Sequence, residues 1–155
     1  MHRMIIVIAL SIFISIGAFV YLMYRLQAEP DVAEQLPVGI MQADDRTIPV
    51  ELALTMGSQT RGLSYRESLD PDRGMLFVYS RPSVQRFWMY EMRFPLDMIF
   101  IDGDTVVDIA ANVPAPDGGI PKTVTSAAPA DKVLEINAGK AEEWGIKVGS
   151  SVVLR

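Results

Sequence analysis

The side chains in this sequence that can do chemistry are carboxylates, arginines, aromatic rings and hydroxyls. The 155 residues include no cysteine, and the only histidine is His2, next to the amino terminus. Ser-His-Asp and Cys-His catalysis, a histidine general base and a zinc site built from histidine or thiolate are therefore excluded from the rest of the chain. We expect neither a metal nor a cofactor.

Two carboxylates interrupt apolar runs that have the character of strands. Asp97 lies in residues 96–101 and Glu135 in residues 133–137. A carboxylate in a core strand must find partners or lose its charge, because desolvating it alone costs several kcal/mol. The planar guanidinium of Arg61 can hold a carboxylate through two hydrogen bonds. We therefore expect Arg61, Asp97 and Glu135 to form a buried network that stabilises the fold.

The same three residues can instead line a binding pocket. Trp88 and Met89 would supply an aromatic and apolar wall, and the loop around Asn112 would supply amide groups. Such a lining suits a saccharide or a peptide ligand. The candidate ligand-binding residues are therefore Arg61, Trp88, Met89, Asp97, Asn112 and Glu135.

A catalytic interpretation is the alternative. Two carboxylates can serve as the acid and the base of glycoside cleavage when they stand about 5 to 10 Å apart. The chain would then be a carboxylate-dependent hydrolase that acts on cell-envelope or exported polysaccharide. A third hypothesis is an assembly partner for another membrane protein, which would need an exposed apolar patch.

Short strands dominate the pattern that positions these residues. Residues 47–55 alternate between apolar and polar side chains, and residues 96–101 are apolar on both faces, which is typical of a central strand. The other predicted strands are residues 75–79, 87–90, 105–110, 133–137 and 151–154. Asp102-Gly103-Asp104 predicts a hairpin turn, and residues 112–131 predict a long loop because they hold four prolines.

Two short helices complete the predicted domain. Ser58 offers an N-cap for a helix over residues 59–66, and residues 139–144 form a second helix that ends at Gly145. The fold class is therefore α+β and rich in β-structure, with a small, mostly antiparallel, barrel-like sheet.

A transmembrane helix is predicted ahead of this domain. Residues 4–24 are 21 consecutive residues without a charge, long enough at about 1.5 Å per residue to span roughly 30 Å of hydrocarbon. A cleaved signal peptide is the alternative, but its apolar region usually has only about 7 to 15 residues. We divide the chain into an anchor (residues 1–25), a tether (residues 26–44) and a β-rich domain (residues 45–155), with a first strand able to begin inside the tether near residues 38–41.

Charge predicts where the domain lies. Residues 26–155 hold all 19 acidic residues and 12 of the 14 basic ones, a formal charge of −7. This disfavours nucleic acid as a partner. The amino group, His2 and Arg3 precede the apolar span and Arg25 follows it, which favours an amino terminus inside the cell. We expect a single-pass protein of the cell membrane with its carboxy-terminal domain outside the cytoplasm.

Five ordered motifs give the chain a family resemblance. They are Arg61-Gly62-Leu63, Gly74-Met75-Leu76-Phe77, Phe87-Trp88-Met89, PLDMIFID from Pro95 to Asp102, and Val133-Leu134-Glu135 with Ala138-Gly139. Over roughly residues 49–153 the chain resembles the bacterial and archaeal family called domain of unknown function 192. The resemblance implies a compact β-rich domain, often secreted or tethered to a membrane, with no established activity.

The chain departs from that family pattern in the long loop. Members of the family often carry a pair of cysteines and a Pro-Ser-Tyr-like segment there, where this chain has residues 118–123 without cysteine. A disulfide or metal role for the loop therefore does not apply. Residues and resemblance together predict a membrane-anchored, extracytoplasmic binding or envelope-associated module.

Overall fold

A computed structural model describes residues 35–155, which contain seven strands and two short helices. Leu36–Arg155 form one compact unit. The elements are β1 (Val38–Ala43), β2 (Arg46–Ala53), α1 (Met56–Arg61), β3 (Gly74–Trp88), β4 (Leu96–Asp102), β5 (Thr105–Val113), β6 (Thr123–Asn137), α2 (Lys140–Glu143) and β7 (Val152–Leu154). The prediction of a β-rich domain with two short helices is confirmed.

The seven strands form one sheet in the order β5-β4-β6-β3-β2-β1-β7, and the sheet curls into a half-barrel. All pairings between neighbouring strands are antiparallel except that of β2 with β3. At one end the two edges meet, because Thr105 bridges Ser151 and the Val106 amide donates to the Ser150 carbonyl. The barrel-like sheet expected from the sequence is thus observed in curled form.

Strand β4 is buried on both faces, so its alternate side chains pack into two different apolar clusters. One core cluster takes Met98 and Phe100 from β4, whereas a second cluster takes Ile99 and Ile101 from the same strand. The second cluster draws on all seven strands and so fills the inside of the curl. Strand β4 lies between β5 and β6, and its residues 96–101 are all buried, which confirms the prediction of an interior strand.

Two predicted breaks in the sheet are absent. Residues 75–79 and 87–90 were predicted as separate strands, but β3 runs from Gly74 to Trp88 and absorbs Pro82 at an irregularity in its pairing with β6. The predicted loop over residues 112–131 shrinks to residues 114–122, because β6 begins at Thr123. Pro129 pairs with Val84 within that strand, next to a shift in register, so this proline marks a bulge, whereas the other three prolines lie in the shortened loop.

Helix α1 begins and ends earlier than predicted. Its N-cap is Thr55, whose hydroxyl accepts from the Ser58 amide while the Ser58 hydroxyl accepts from the Thr55 amide. This reciprocal pair is a capping box, so Ser58 is the third residue of the helix and not its cap. Gly62 ends the helix with a φ of 51°, which leaves Arg61 as its last residue.

The amino-terminal predictions are tested only in part. Within the predicted tether, Val38–Ala43 form strand β1, which pairs with β2 and β7. The predicted anchor at residues 4–24 lies outside the described residues, as do residues 26–34 of the tether. Among residues 35–155, the structure contains no helix of the length and apolar character needed to cross a bilayer.

Candidate functional site

A surface groove lies between α1 and the end of β3. It has a volume of about 540 Å³, the size of a small-ligand site. Its apolar wall consists of Met56 and three aromatic residues. We call it the aromatic groove, and its lining residues are Met56, Gly57, Thr60, Arg61, Ser64, Tyr65, Trp88 and Tyr90.

Three rings form a continuous and accessible aromatic surface in this groove. The rings of Trp88 and Tyr90 stack with centroids 5.1 Å apart and planes 28° apart. Tyr65 meets Tyr90 edge-on, with centroids 6.4 Å apart. Trp88, Tyr65 and Tyr90 are 55%, 54% and 40% exposed. Large aromatic side chains left this open are typical of surfaces that bind a partner molecule.

The backbone beneath the rings is held in an uncommon conformation. Tyr65 and Glu91 both have positive φ angles, 67° and 53°. The Tyr65 amide donates to the Glu91 carbonyl at 2.9 Å, and the Ser64 hydroxyl donates to the Tyr90 carbonyl at 2.7 Å. A left-handed backbone costs a residue other than glycine of order 1 kcal/mol or more, and such residues cluster at functional sites.

The hydroxyl groups of the groove also interact. A hydrogen bond between the side chains of Tyr65 and Tyr90 raises the pKa of Tyr65 above its ordinary value. The Tyr65 phenol is therefore neutral at physiological pH, and the Arg61 guanidinium is the formal charge among the groove's lining residues.

A second, smaller cavity adjoins the groove. Its volume is about 30 Å³, room for a single group the size of water. We call it the inner cavity. It shares Thr60, Arg61, Ser64 and Trp88 with the groove, and its other lining residues are Gln59, Gly62, Leu63, Phe77, Phe87, Met92 and Glu135.

Glu135 is the carboxyl group of the inner cavity. It is only 5% exposed, and this burial raises its pKa to about 8. The positive charge of Arg66 lowers the pKa and so opposes part of the effect. Arg66 is itself engaged by Glu51, to which it donates two hydrogen bonds of 2.8 and 2.6 Å. Glu135 is therefore a neutral acid at pH 7, able to donate as well as accept a hydrogen bond.

Asp97 serves a different purpose, because it projects from the opposite face of the sheet. It pairs with Ile136 across β4 and β6, whereas Glu135 pairs with Met98. Its carboxylate is fully buried and accepts from the Asn112 amide at 2.7 Å and the Ala141 amide at 2.9 Å. The predicted network that joins Asp97 to Glu135 is therefore not formed.

Asp97 instead completes the start of α2. The N-cap residue of that helix, Gly139, has no side chain with which to accept the first free amides. Asp97 supplies a carboxylate from the neighbouring strand, which satisfies the Ala141 amide at the positive end of the helix. This is a structural role, and it accounts for a buried charge in a core strand.

The six candidates from the sequence thus separate in space. Arg61 and Trp88 line both cavities, and Glu135 joins them in the inner one. Met89 is fully buried in the first core cluster. Asn112 is exposed, with its amide bonded to Asp97, and neither Asn112 nor Met89 is among the lining residues of the two cavities.

Sequence reasoning missed part of the groove. Tyr90 follows Trp88 by two residues, and this spacing places both rings on one side of an extended segment, so the strand pattern could have indicated it. Tyr65 enters the groove through a turn with positive φ, and Arg66 reaches Glu51 across the fold. No local pattern indicates either residue.

The described part of the chain offers no metal site. Among residues 35–155, no group of three or more acidic, histidine or cysteine side chains is placed to hold a metal ion. The groove offers aromatic faces, hydroxyls and one guanidinium, and the inner cavity adds the carboxyl group of Glu135.

Comparison with known proteins identifies relatives. The profile of the DUF192 family, described as "Uncharacterized ACR", matches residues 39–154. No curated protein matches the chain. A solved structure from Novosphingobium aromaticivorans DSM 12444, described as a protein of unknown function, is 35% identical with a TM-score of 0.66, and the match covers 81% of this chain and 89% of that one.

A second solved structure is also similar. It is described as a "putative transcription regulator" from Sinorhizobium meliloti 1021 and is 31% identical with a TM-score of 0.69. The match covers 77% of this chain and 95% of that chain. The matched region makes up nearly all of both solved chains.

Replacing Asp97 with asparagine should destabilise the domain. The amide group of the new side chain would turn a donor toward one of two backbone amides that now bond to the carboxylate, and an unsatisfied buried donor costs about 1 to 3 kcal/mol. Urea unfolding of a fragment of residues 36–155 measures this difference. The control is Asp117→Asn in the exposed loop, which should change the free energy of unfolding by less than about 0.5 kcal/mol. Equal stability of the two variants would contradict the assigned role.

Replacing Glu135 with glutamine should change how stability depends on pH. The unfolded carboxyl ionises near 4.5, but burial raises its pKa in the folded domain to about 8. Relative to Glu135→Gln, the wild-type domain should therefore lose stability as pH rises from 4.5 to 8, by at most about 1.4 kcal/mol per pH unit, and no further above that range. Urea unfolding at a series of pH values tests this. Parallel profiles would show that Glu135 is ionised in the folded domain.

Proposed function

The chain belongs to the DUF192 family, and we propose that it is a membrane-anchored, extracytoplasmic module that binds a saccharide through the aromatic groove. One observation carries this proposal. Three exposed aromatic residues, Tyr65, Trp88 and Tyr90, line one cavity of about 540 Å³ together with hydroxyls and a guanidinium.

The shape and chemistry of the groove favour a saccharide. A sugar ring has an apolar face of C–H groups and a rim of hydroxyls. The broad face of an exposed ring such as Trp88 offers the apolar face a flat surface to stack on, and Thr60, Arg61 and Ser64 can hydrogen bond to the rim. A peptide rich in proline would also stack on aromatic rings but would leave more of these polar groups unused.

Charge argues against nucleic acid as the ligand. Residues 26–155 have a formal charge of −7, so they would repel a phosphate backbone. The description "transcription regulator" belongs to the relative from Sinorhizobium meliloti 1021. The acidic composition of this chain supports a ligand other than nucleic acid.

The placement outside the cytoplasm rests on the amino-terminal sequence. Residues 4–24 have the length and apolar character of a transmembrane helix, and the charges before this span favour an inside amino terminus. A groove on the outer side of the membrane would meet the polysaccharides of the cell envelope.

A hydrolase that uses Asp97 and Glu135 as acid and base lacks support from the geometry. The two residues project from opposite faces of the sheet, and the Asp97 carboxylate is occupied by two backbone amides. They therefore cannot stand on either side of one glycosidic bond. Binding requires only the groove.

Removing the Trp88 ring should weaken saccharide binding. A lost stacking contact of about 1 kcal/mol corresponds to a roughly fivefold rise in Kd. Calorimetric titration of the full-length protein in detergent with cellotriose, chitotriose and soluble peptidoglycan fragments would compare Trp88→Ala with Ile120→Ala. Ile120 is an exposed apolar residue outside the groove, so its loss should leave Kd unchanged. If proline-rich peptides bind and no saccharide does, the ligand of the groove is a peptide and the proposed saccharide ligand is wrong.

The absence of cysteine makes the membrane placement testable by labelling. Asp117→Cys puts one thiol on an exposed loop of the domain, and His2→Cys puts one before the apolar span. In spheroplasts, a maleimide that does not cross membranes should label Asp117→Cys and should label His2→Cys only after lysis. The reverse pattern would place the domain inside the cell. Recovery of the wild-type protein in the soluble fraction would argue against the anchor.

A further inference from the structure

The aromatic groove and the inner cavity are neighbouring parts of one region of the domain. They share four lining residues, Thr60, Arg61, Ser64 and Trp88. The two cavities therefore adjoin at these residues. A ligand that stacks on Trp88 lies next to the inner cavity.

The inner cavity is small and has an uneven lining. At about 30 Å³ it admits one group the size of a hydroxyl or a carbonyl oxygen and no sugar ring. Leu63, Phe77, Phe87 and Met92 give it apolar walls, and the Glu135 carboxyl is 95% removed from solvent there. A buried polar group in a small cavity with apolar walls on part of its lining can select one functional group of a ligand.

Burial keeps the Glu135 carboxyl group neutral despite the charged and titratable groups around it. Arg66 lies near enough to lower the pKa of Glu135, but it is held by Glu51, and burial outweighs its influence. Tyr79 on β3 has its own pKa raised to about 12 by burial and by Glu135, so it does not titrate near neutrality. Arg61 also lines the cavity.

We propose that the inner cavity is the specificity subsite of the aromatic groove, in which the buried Glu135 carboxyl group donates a hydrogen bond to one oxygen atom of the bound saccharide. This inference rests on the proposed function. Trp88 contributes stacking, which many sugars share, whereas Glu135 selects a sugar that places an acceptor oxygen behind the ring. A buried donor left without a partner disfavours sugars that lack this oxygen.

Two substitutions of similar size separate the hydrogen bond from packing. Glutamine can still donate through its side-chain amide, whereas leucine cannot donate. For whichever of cellotriose and chitotriose binds the wild-type full-length protein more tightly, Glu135→Leu should raise Kd about tenfold at pH 6.5. Glu135→Gln should keep Kd within about threefold. Circular dichroism establishes that each variant is folded.

The pH dependence of binding gives a second test, which does not depend on the leucine variant folding. Burial sets the pKa of Glu135 at about 8, so at pH 9 roughly a tenth of the molecules retain the donor proton. The wild-type Kd should therefore rise about tenfold from pH 6.5 to pH 9. The Kd of Glu135→Gln should stay constant over the same range.

The outcomes distinguish this inference from the function on which it rests. If Trp88→Ala weakens binding while both Glu135 variants keep the wild-type Kd and its dependence on pH, the groove binds saccharide but the inner cavity is not its specificity subsite. If neither trisaccharide binds the wild-type protein, the proposed function and the inference both fail. If the Kd of Glu135→Leu is tenfold higher and the Kd of Glu135→Gln does not change with pH, both the proposed function and the inference are supported.

Discussion

Burial of the inner strands on both faces is the constraint on which the rest of this structure depends. Residues 96–101 of β4 and 133–136 of β6 lie between two apolar clusters, so a polar side chain in these stretches is removed from water whichever way it points. A charge in that position must be satisfied by donors or must be given up. Asp97 and Glu135 show the two solutions on neighbouring strands.

The two carboxylates differ because of what packs against each face. On the inside of the curl, the start of α2 and the backbone at Asn112 bring two amide donors to Asp97, which makes it part of the scaffold. On the outer face, Glu135 meets apolar side chains and the inner cavity, and burial keeps it protonated. Asp97 therefore stabilises the fold, whereas Glu135 lines the inner cavity next to the groove.

The groove itself depends on backbone geometry more than on any single strand. Helix α1 ends at Gly62, and the following residues turn so that Tyr65 faces the segment after β3. Hydrogen bonds from this turn to the Tyr90 and Glu91 carbonyls hold the rings together. Local strain at Tyr65 and Glu91 is tolerated because both segments pack on the sheet.

By itself the sequence determined the β-rich class, the interior position of β4, the hairpin at Gly103 and the family, since apolar periodicity and turn residues are local signals. It also indicated that Asp97 and Glu135 would be buried. Only the tertiary structure decided that they do not meet, because the pairing of Asp97 with Ile136 sets the register, and a shift of one residue would move a side chain to the other face. The approach of Tyr65 to Tyr90 was likewise decided by chain packing, which no local pattern encodes.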